Sequence, residues 1–404
     1  MTTRVMHVVT RCVAGAGGVA VRGAVALDPA RYESVLVTGT REGPLLDRAR
    51  DAGVEVVVVP ELVSPISPRE DATAYGRLLD LVHERRPDVV HTHSAKAGAL
   101  GRMAASRGDV PLIVHTLHGF PFHEFQNPAL RAAYIRIERR LSRVTDAYLA
   151  VGTGVAVEAL RRGLAQPEQL HTVGPAVDEP SIRLDPSTRA TARALLGLPD
   201  DVPVLGTVGR LDFQKAPEVM LEALRRMRTP AVLVWAGDGE LAERTRRDVH
   251  RLGLDERVHL LGNRSDVAAL LPAFDVFAMA SRYEGLPCVV VEAQQCGIPV
   301  VATAVNAVPD VVIPGETGLL VPPGRADLLA AAVDHVFAHP DEARLWAARA
   351  QAHLGNRYDQ TTAGEVLDRV YSQGPARPRR QLVGSLGAGP GHPDRPASLR
   401  TRAS

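Results

Sequence analysis

The chain has 404 residues, a formal net charge of +1 and an apolar share of 45%. That length has room for two domains, each with its own core. Near-balanced charge gives no global attraction to nucleic acid, and aromatics at 4% offer few base-stacking platforms. Three cysteines, Cys12, Cys288 and Cys296, show no metal or redox spacing, and the odd count fits a reducing compartment. No run approaches ~20 uncharged apolar residues. Met1–Thr10 is too short and polar-flanked for a signal peptide, so a cytoplasmic protein is expected.

The first strand, Arg4–Thr10, runs into a loop with Gly15, Gly17 and Gly18 and a small-residue helix, Val19–Leu27. Gly15-x-Gly17-x-x-Ala20 resembles a dinucleotide fingerprint, which needs an acid at the end of the second strand. Glu33 stands at the start of that strand, Ser34–Thr38, so an NAD site is disfavoured. The loop reads instead as one that lets backbone approach a ligand. Helices then alternate with strands Val54–Val59, Asp88–His91 and Leu112–Thr116, which implies a parallel sheet with covered faces. Ligands of such sheets sit outside the carboxyl ends of the strands. His91, His93, His115, His118 and His123 are expected there, in separate loops. No carboxylate completes a metal spacing, so they read as a polar cleft floor, with His118 the best candidate to touch substrate. Residues 131–143 form a basic amphipathic helix: Arg136, Arg139, Arg140 and Arg143 on one side, Tyr134, Ile137 and Leu141 on another. Such a helix is either a solvated face or a seat on an anionic membrane surface. Strands Tyr148–Gly152 and Leu170–Val173 close the series.

Composition shifts at Asp178–Pro186, which divides the chain into units 1–180 and 181–355. Strand Pro203–Val208 ends in Gly209 and Arg210, and Lys215 precedes a helix. An arginine fork and a lysine point charge would then flank one anion seat. Strand Ala231–Ala236 ends in Gly237-Asp238-Gly239, and Val258–Leu261 in Gly262-Asn263-Arg264, with Asp266 expected to cap the next helix. Strand Asp275–Ala280 leads to Glu284; Pro287 is expected at the first helical position and Gly297 stops the helix. Glu292 lies about 7 Å along that helix. Free N–H groups at Gly285, Leu286 and Cys288 would attract an anion between the two acids. Acid, anion seat, acid is the layout of a nucleoside diphosphate sugar. Strand Val300–Ala304 and helices Ala326–Ala338, Glu342–Leu354 and Thr361–Tyr371 follow. Residues 375–404, rich in Pro, Gly, Ser and Arg, read as a disordered basic tail.

On these residues the chain resembles the family 4 retaining glycosyltransferases of the GT-B fold, over nearly everything up to Tyr371. The most specific segment is Glu284-x7-Glu292 with its flanks EGLP and CGIPVVAT. The GRL segment with Lys215, the GDG and N-R-x-D turns, and the G-x-T-G-x-L-V-P-P run also fit. The resemblance implies two Rossmann-like domains facing each other across a cleft, with the last helix crossing back to the first. It implies transfer from a nucleotide-diphosphate sugar, UDP-sugar favoured, to a hydroxyl acceptor. Arg210 and Lys215 would bind the diphosphate, Glu284 the sugar hydroxyls and Glu292 the ribose, with His118 lining the anomeric region. Gly17, Gly18, Gly209, Asp238, Arg264, Gly285 and Leu286 would complete the donor site, with no metal or cofactor. HTHSAKAGALGRMAA and HTLHGFPFHE look like the branch that builds capsular, exopolysaccharide and O-antigen chains. That branch implies a polyprenyl-linked acceptor at the cytoplasmic membrane face. A soluble acceptor or a non-hydrolysing nucleotide-sugar epimerase are the alternatives. Two departures stand out: Gly17-Gly18 is followed by Val19-Ala20 where the family has a polar residue, and residues 306–310 replace a Gly-rich segment ending in glutamate.

Overall fold

The computed structural model describes residues 2–13, 15–178 and 184–374. The expected unit boundary at 180/181 and the tail from 375 lie outside the described residues. The first unit alternates strand and helix: β1 (Thr3–Val9), α1 (Ala16–Ala26), β2 (Tyr32–Thr38), α2 (Pro44–Asp51), β3 (Glu55–Val58), α3 (Pro68–Arg85), β4 (Val89–His93), α4 (Ala95–Arg107), β5 (Leu112–Leu117), α5 (Pro128–Leu141), β6 (Ala147–Ala150), α6 (Thr153–Arg161) and β7 (Leu170–Thr172). The second repeats the plan: α7 (Pro186–Leu196), β8 (Val204–Val208), α8 (Pro217–Arg226), β9 (Val232–Ala236), α9 (Ala242–Arg251), β10 (Val258–Leu260), α10 (Val267–Leu270), β11 (Val276–Met279), α11 (Cys288–Cys296), β12 (Val300–Thr303), β13 (Leu319–Val321), α12 (Ala326–Ala338), α13 (Pro340–Leu354) and α14 (Gln360–Gln373).

Both sheets are parallel throughout. Their orders are β3-β2-β1-β4-β5-β6-β7 and β10-β9-β8-β11-β12-β13. Helices cover both faces, so β4, β5, β6, β11 and β12 are buried along their whole length. In each sheet the strand order reverses beside the first strand, β1 or β8, and the crevice at that switch point faces the other unit.

Two features tie the units together. One contiguous apolar cluster runs from Tyr148 and Val155 in the first unit to Val290 and Ala307 in the second. Helix α14 crosses back onto the first sheet, where Leu367, Val370 and Tyr371 pack with Val5 and Val114. Its Tyr371 hydroxyl bonds His91 Nδ1 at 2.7 Å.

Three expectations change. Helix α11 begins at Cys288, and Pro287 is its extended N-cap at ψ 102, which shifts the helix start past the Gly285 and Leu286 N–H groups. Asp266 does flank α10, but its carboxylate makes no capping bond because the Arg264 fork takes it. Ile137 is 49% exposed, so the packed stripe of α5 is Tyr134, Glu138 and Leu141. Glu138 is buried because fully buried Arg102 on α4 meets it at 2.8 Å.

Candidate active site

The site is built from loops at the carboxyl ends of β8, β9, β11 and β12, faced by loops after β4 and β5. Its first fixed point is backbone. Gly237 has φ +146, and a Cβ there would meet the Gly209 oxygen at 2.0 Å, so only glycine lets these two strand ends touch. Trp235 Nε1 donates to that same oxygen at 2.8 Å. Asp238 closes the turn: its carbonyl accepts from the Leu211 N–H at 3.0 Å, and its Oδ1 from the Gly239 N–H at 2.8 Å.

The loop so held carries Arg210, Gln214 and Lys215. Lys215 Nζ lies 2.5 Å from Glu284 Oε1, and Gln214 Nε2 donates to Glu284 Oε2 at 2.9 Å. The Glu284 N–H donates to Asn306 Oδ1 at 2.8 Å. The Glu284 side chain is 6% exposed, and a carboxylate so buried needs such partners to stay charged. Arg210 reaches this pair only through Gln214, whose Oε1 accepts from its guanidinium at 3.5 Å. Its side chain is 61% exposed and rests on Asp212 at 2.8 Å. The Arg264 guanidinium is likewise engaged within its own turn, by Asp266 at 2.6 Å.

Glu292, the fifth residue of α11, is half-buried and has no hydrogen-bond partner among the described residues. Burial pushes its carboxyl up, Arg22 opposes this, and Asp178 adds to it. Arg22 comes from the first unit, where it is buried on α1 next to Gly18, donating to the Ala176 carbonyl at 2.5 Å. Gly17 and Gly18 form the buried first turn of α1.

His118 follows β5, half-buried, with Nε2 3.0 Å from His93 Nδ1. Burial holds its ring down to about 3, so it is neutral at pH 7. His123 lies in the loop between β5 and α5, as its spacing suggested, stacked on Tyr283 at 4.3 Å, but the remaining three are not in loops. His91 and His93 lie inside β4 and His115 inside β5, all buried. Register pairs His7 of β1 with His91, and His7, His91 and His93 place one ring nitrogen each within 4.8 Å of the others. Three neutral imidazoles so placed have the donor set for a metal ion. Both His91 nitrogens, however, already bond Tyr371 and Thr116 at 2.7 Å.

The two units touch backbone to backbone at the His118–Gly119 peptide. A Cβ on Gly285 would lie 1.9 Å from the His118 oxygen, so the backbone of the Glu284 turn rests directly on the His118–Gly119 peptide. Leu286 beside it is buried in the shared core. Thus His118, Gly285, Glu284 and Lys215 form one connected set, while Arg210 and Arg264 turn to their own aspartates.

Sequence reasoning passed over Gln214, Asn306, Arg22 and Asp310. Arg22 had a signal, as a lone arginine inside the small-residue helix VAVRGAVA. Asn306 falls in the segment that departs from the family pattern, and it holds the Glu284 backbone from φ +45. Asp310, from the same segment, accepts from the Thr153 N–H at the start of α6 and so links the units.

Two switch-point crevices closed on each other over a buried acid–lysine pair give the two-domain architecture of the GT-B fold. Residues 188–353 match the family described as Glycosyl transferases group 1, and residues 14–176 match the Glycosyl transferase 4-like domain. The chain is 31% identical over 270 residues to the UDP-Gal:alpha-D-GlcNAc-diphosphoundecaprenol alpha-1,3-galactosyltransferase of Escherichia coli, covering 65% of this chain and 70% of that one. It is 33% identical over 314 residues to the D-inositol 3-phosphate glycosyltransferase of Xylanimonas cellulosilytica, covering 72% and 73%. Anabaena Alr3699/HepE in complex with UDP and glucose superposes with a TM-score of 0.80 at 22% identity, covering 92% of this chain and 100% of that one. The chain belongs to the group 1 glycosyltransferases, with their 4-like N-terminal domain, and is a nucleotide-sugar glycosyltransferase.

Proposed function

We propose that the chain moves a hexosyl group, with retention, from a UDP-sugar to a hydroxyl of a lipid-linked saccharide in cell-surface polysaccharide synthesis. The observation that carries this is the Lys215–Glu284 pair held at 2.5 Å under the His118–Gly119 peptide. Lys215 has three donors, so one stays on Glu284 while the others meet a diphosphate oxygen. Arg210, itself exposed, leaves Asp212 for the same diphosphate, where its fork suits phosphate oxygens. Glu284 and unpartnered Glu292 then receive hydroxyls of the donor sugar and of the ribose. The acceptor oxygen bonds to the anomeric carbon as the bond to the diphosphate breaks. The electron pair leaves with the diphosphate, which also takes the hydroxyl proton. Cations fixed beside the leaving oxygens stabilise that charge as it develops, with no protein nucleophile and no metal in the step.

The lipid-linked acceptor is supported by the likeness to the diphosphoundecaprenol galactosyltransferase and by the surface of α5. Arg136, Arg139, Arg140 and Arg143 are exposed there, with Phe125, Leu130 and Ile137 each nearly half exposed. Basic and apolar groups together suit an anionic membrane surface. Among the described residues no helix is long and apolar enough to cross a membrane. We place the protein peripherally, at the cytoplasmic face. Sedimentation with anionic but not neutral vesicles, lost in Arg136→Glu/Arg140→Glu, checks this. A soluble polyol phosphate acceptor is the second reading, favoured by the likeness to the inositol 3-phosphate enzymes.

The test of the transferase reading is a panel of UDP- and GDP-sugars without acceptor, followed by nucleotide release and thermal shift. One nucleotide class should stabilise the protein, and Arg210→Ala and Glu292→Ala should abolish release. A folded Arg210→Ala that turns over normally would overturn it.

A further inference from the structure

Beside Glu284, on the α5–α6 side, a pocket of about 480 Å³ opens between the two units. Phe120 and Phe122, stacked at 4.8 Å, Tyr283, Glu284, Arg131 and Arg162 are on its wall. The charges there do not balance locally. Arg162 donates to Glu158 at 2.7 Å, and Arg161 shares that carboxylate at 3.8 Å. Glu284 belongs to Lys215. Glu124, also on the wall, is exposed to water. Arg131, a partly buried residue on this wall, has no ion-pair or hydrogen-bond partner for its side chain among the described residues.

An arginine on a pocket wall with no counterion keeps its whole donor fork free for a ligand. It suits an anion that arrives, and a guanidinium fork suits phosphate above all. The aromatic faces beside it suit the apolar face of a ring. We propose that this pocket seats the acceptor, and that the acceptor is a phosphate-bearing sugar or cyclitol whose phosphate is read by Arg131. The ring lies along Phe120 and presents its hydroxyl past Glu284 to the anomeric carbon. This rests on the transferase reading above. The same chemistry has two sources: a soluble ring phosphate, or the diphosphate of a lipid-linked saccharide.

The experiment titrates the UDP-loaded full chain with two pairs of probes. One pair is inositol 3-phosphate against inositol. The other is N-acetylglucosaminyl diphosphoundecaprenol against the N-acetylglucosaminide of the same lipid without the diphosphate, both in neutral detergent. Wild type should bind the phosphorylated member of one pair at least tenfold more tightly than its phosphate-free partner, and that pair identifies the source. Arg131→Gln should lose this discrimination, and Arg131→Lys, which keeps the charge without the fork, should fall between. The ratio reads the phosphate itself, so a loss of fold, which weakens both members alike, does not imitate it. No discrimination by wild type in either pair, or discrimination kept by Arg131→Gln, overturns the proposal. Failure of wild type to bind UDP counts instead against the transferase reading.

Discussion

Glu284 shows what one buried carboxylate needs. Its oxygens are held by Lys215 and Gln214, and its side chain is 6% exposed. Removing Lys215 leaves that charge buried beside a neutral amide, so Lys215→Met should cost about 3–5 kcal/mol in urea unfolding. Lys215→Met combined with Glu284→Gln should recover much of the loss, because no unpaired charge is left. Arg210 makes the opposite case. Its side chain is 61% exposed, and an ion pair that open to water is worth little. Arg210→Ala should therefore leave stability within about 0.5 kcal/mol, as for most surface changes. Turnover should nonetheless fall by about 10²–10³, the effect of removing one charge-stabilising donor. The contrast separates a group that also holds the fold from one that acts on the reaction alone. Neither role could be told apart in the sequence, where both residues are simply cations after a strand. Gln214, one residue before Lys215, carried no sequence signal at all, since its role depends on Glu284, 70 residues away.

At the scale of elements, the parallel strands were legible because strands covered on both faces read as short apolar runs. Among the described residues, twelve of the 13 strands answer to runs visible in the sequence; β13, three residues inside a Gly-Pro-rich segment, does not. The histidines were misplaced for a related reason. A polar residue beside an apolar run reads as the loop after it, and only register brings His7 of β1 against His91 of β4. These buried rings have a consequence for pH. Burial lowers His7 to about 4 and His118 to about 3, and holds His91, His93 and His115 well below the usual histidine value. The unfolded chain takes up protons below about pH 6.5 while the folded one does not. Stability from these groups is thus whole above pH 6.5 and drains as pH falls toward 4. Each histidine contributes up to about 1.4 kcal/mol per pH unit. Urea midpoints at pH 7.5, 6 and 5 should fall with a slope of more than one proton. Neither nitrogen of His7 has a hydrogen-bond partner among the described residues, so His7→Phe should flatten that slope without lowering the midpoint at pH 7.5 as much as at sites where bonds are lost.

Over the whole molecule, two sheets of the same plan work only if their switch points close on one another. Beside the shared apolar cluster, three of the contacts that make that closure are α14 bonded through Tyr371 to His91, Asp310 bonded to the α6 amide, and the contact of Gly285 with the His118–Gly119 peptide. The third is the one that carries chemistry, because it sets His118 against the Glu284 turn. It is also the tightest, since a Cβ on Gly285 would lie 1.9 Å from the His118 oxygen. Nothing flexible stands there to yield; both partners are backbone. Gly285→Ala therefore has to be accommodated by moving one unit off the other. Each sheet keeps its own core, so unfolding midpoints should change by less than they do in Lys215→Met. The donor contacts at Arg210 and Lys215 lie on the second unit alone, so UDP should still bind within a fewfold of wild type. Transfer needs both units in register, and a misplacement of about 1 Å can cost on the order of 10² in rate. Gly285→Ala should accordingly show a turnover reduced about a hundredfold, with near-normal UDP affinity and a larger radius of gyration in solution scattering. A variant that transfers sugar at the wild-type rate would show that the closed contact is not the reactive arrangement. Loss of UDP binding along with turnover would place the damage in the donor loop rather than in closure.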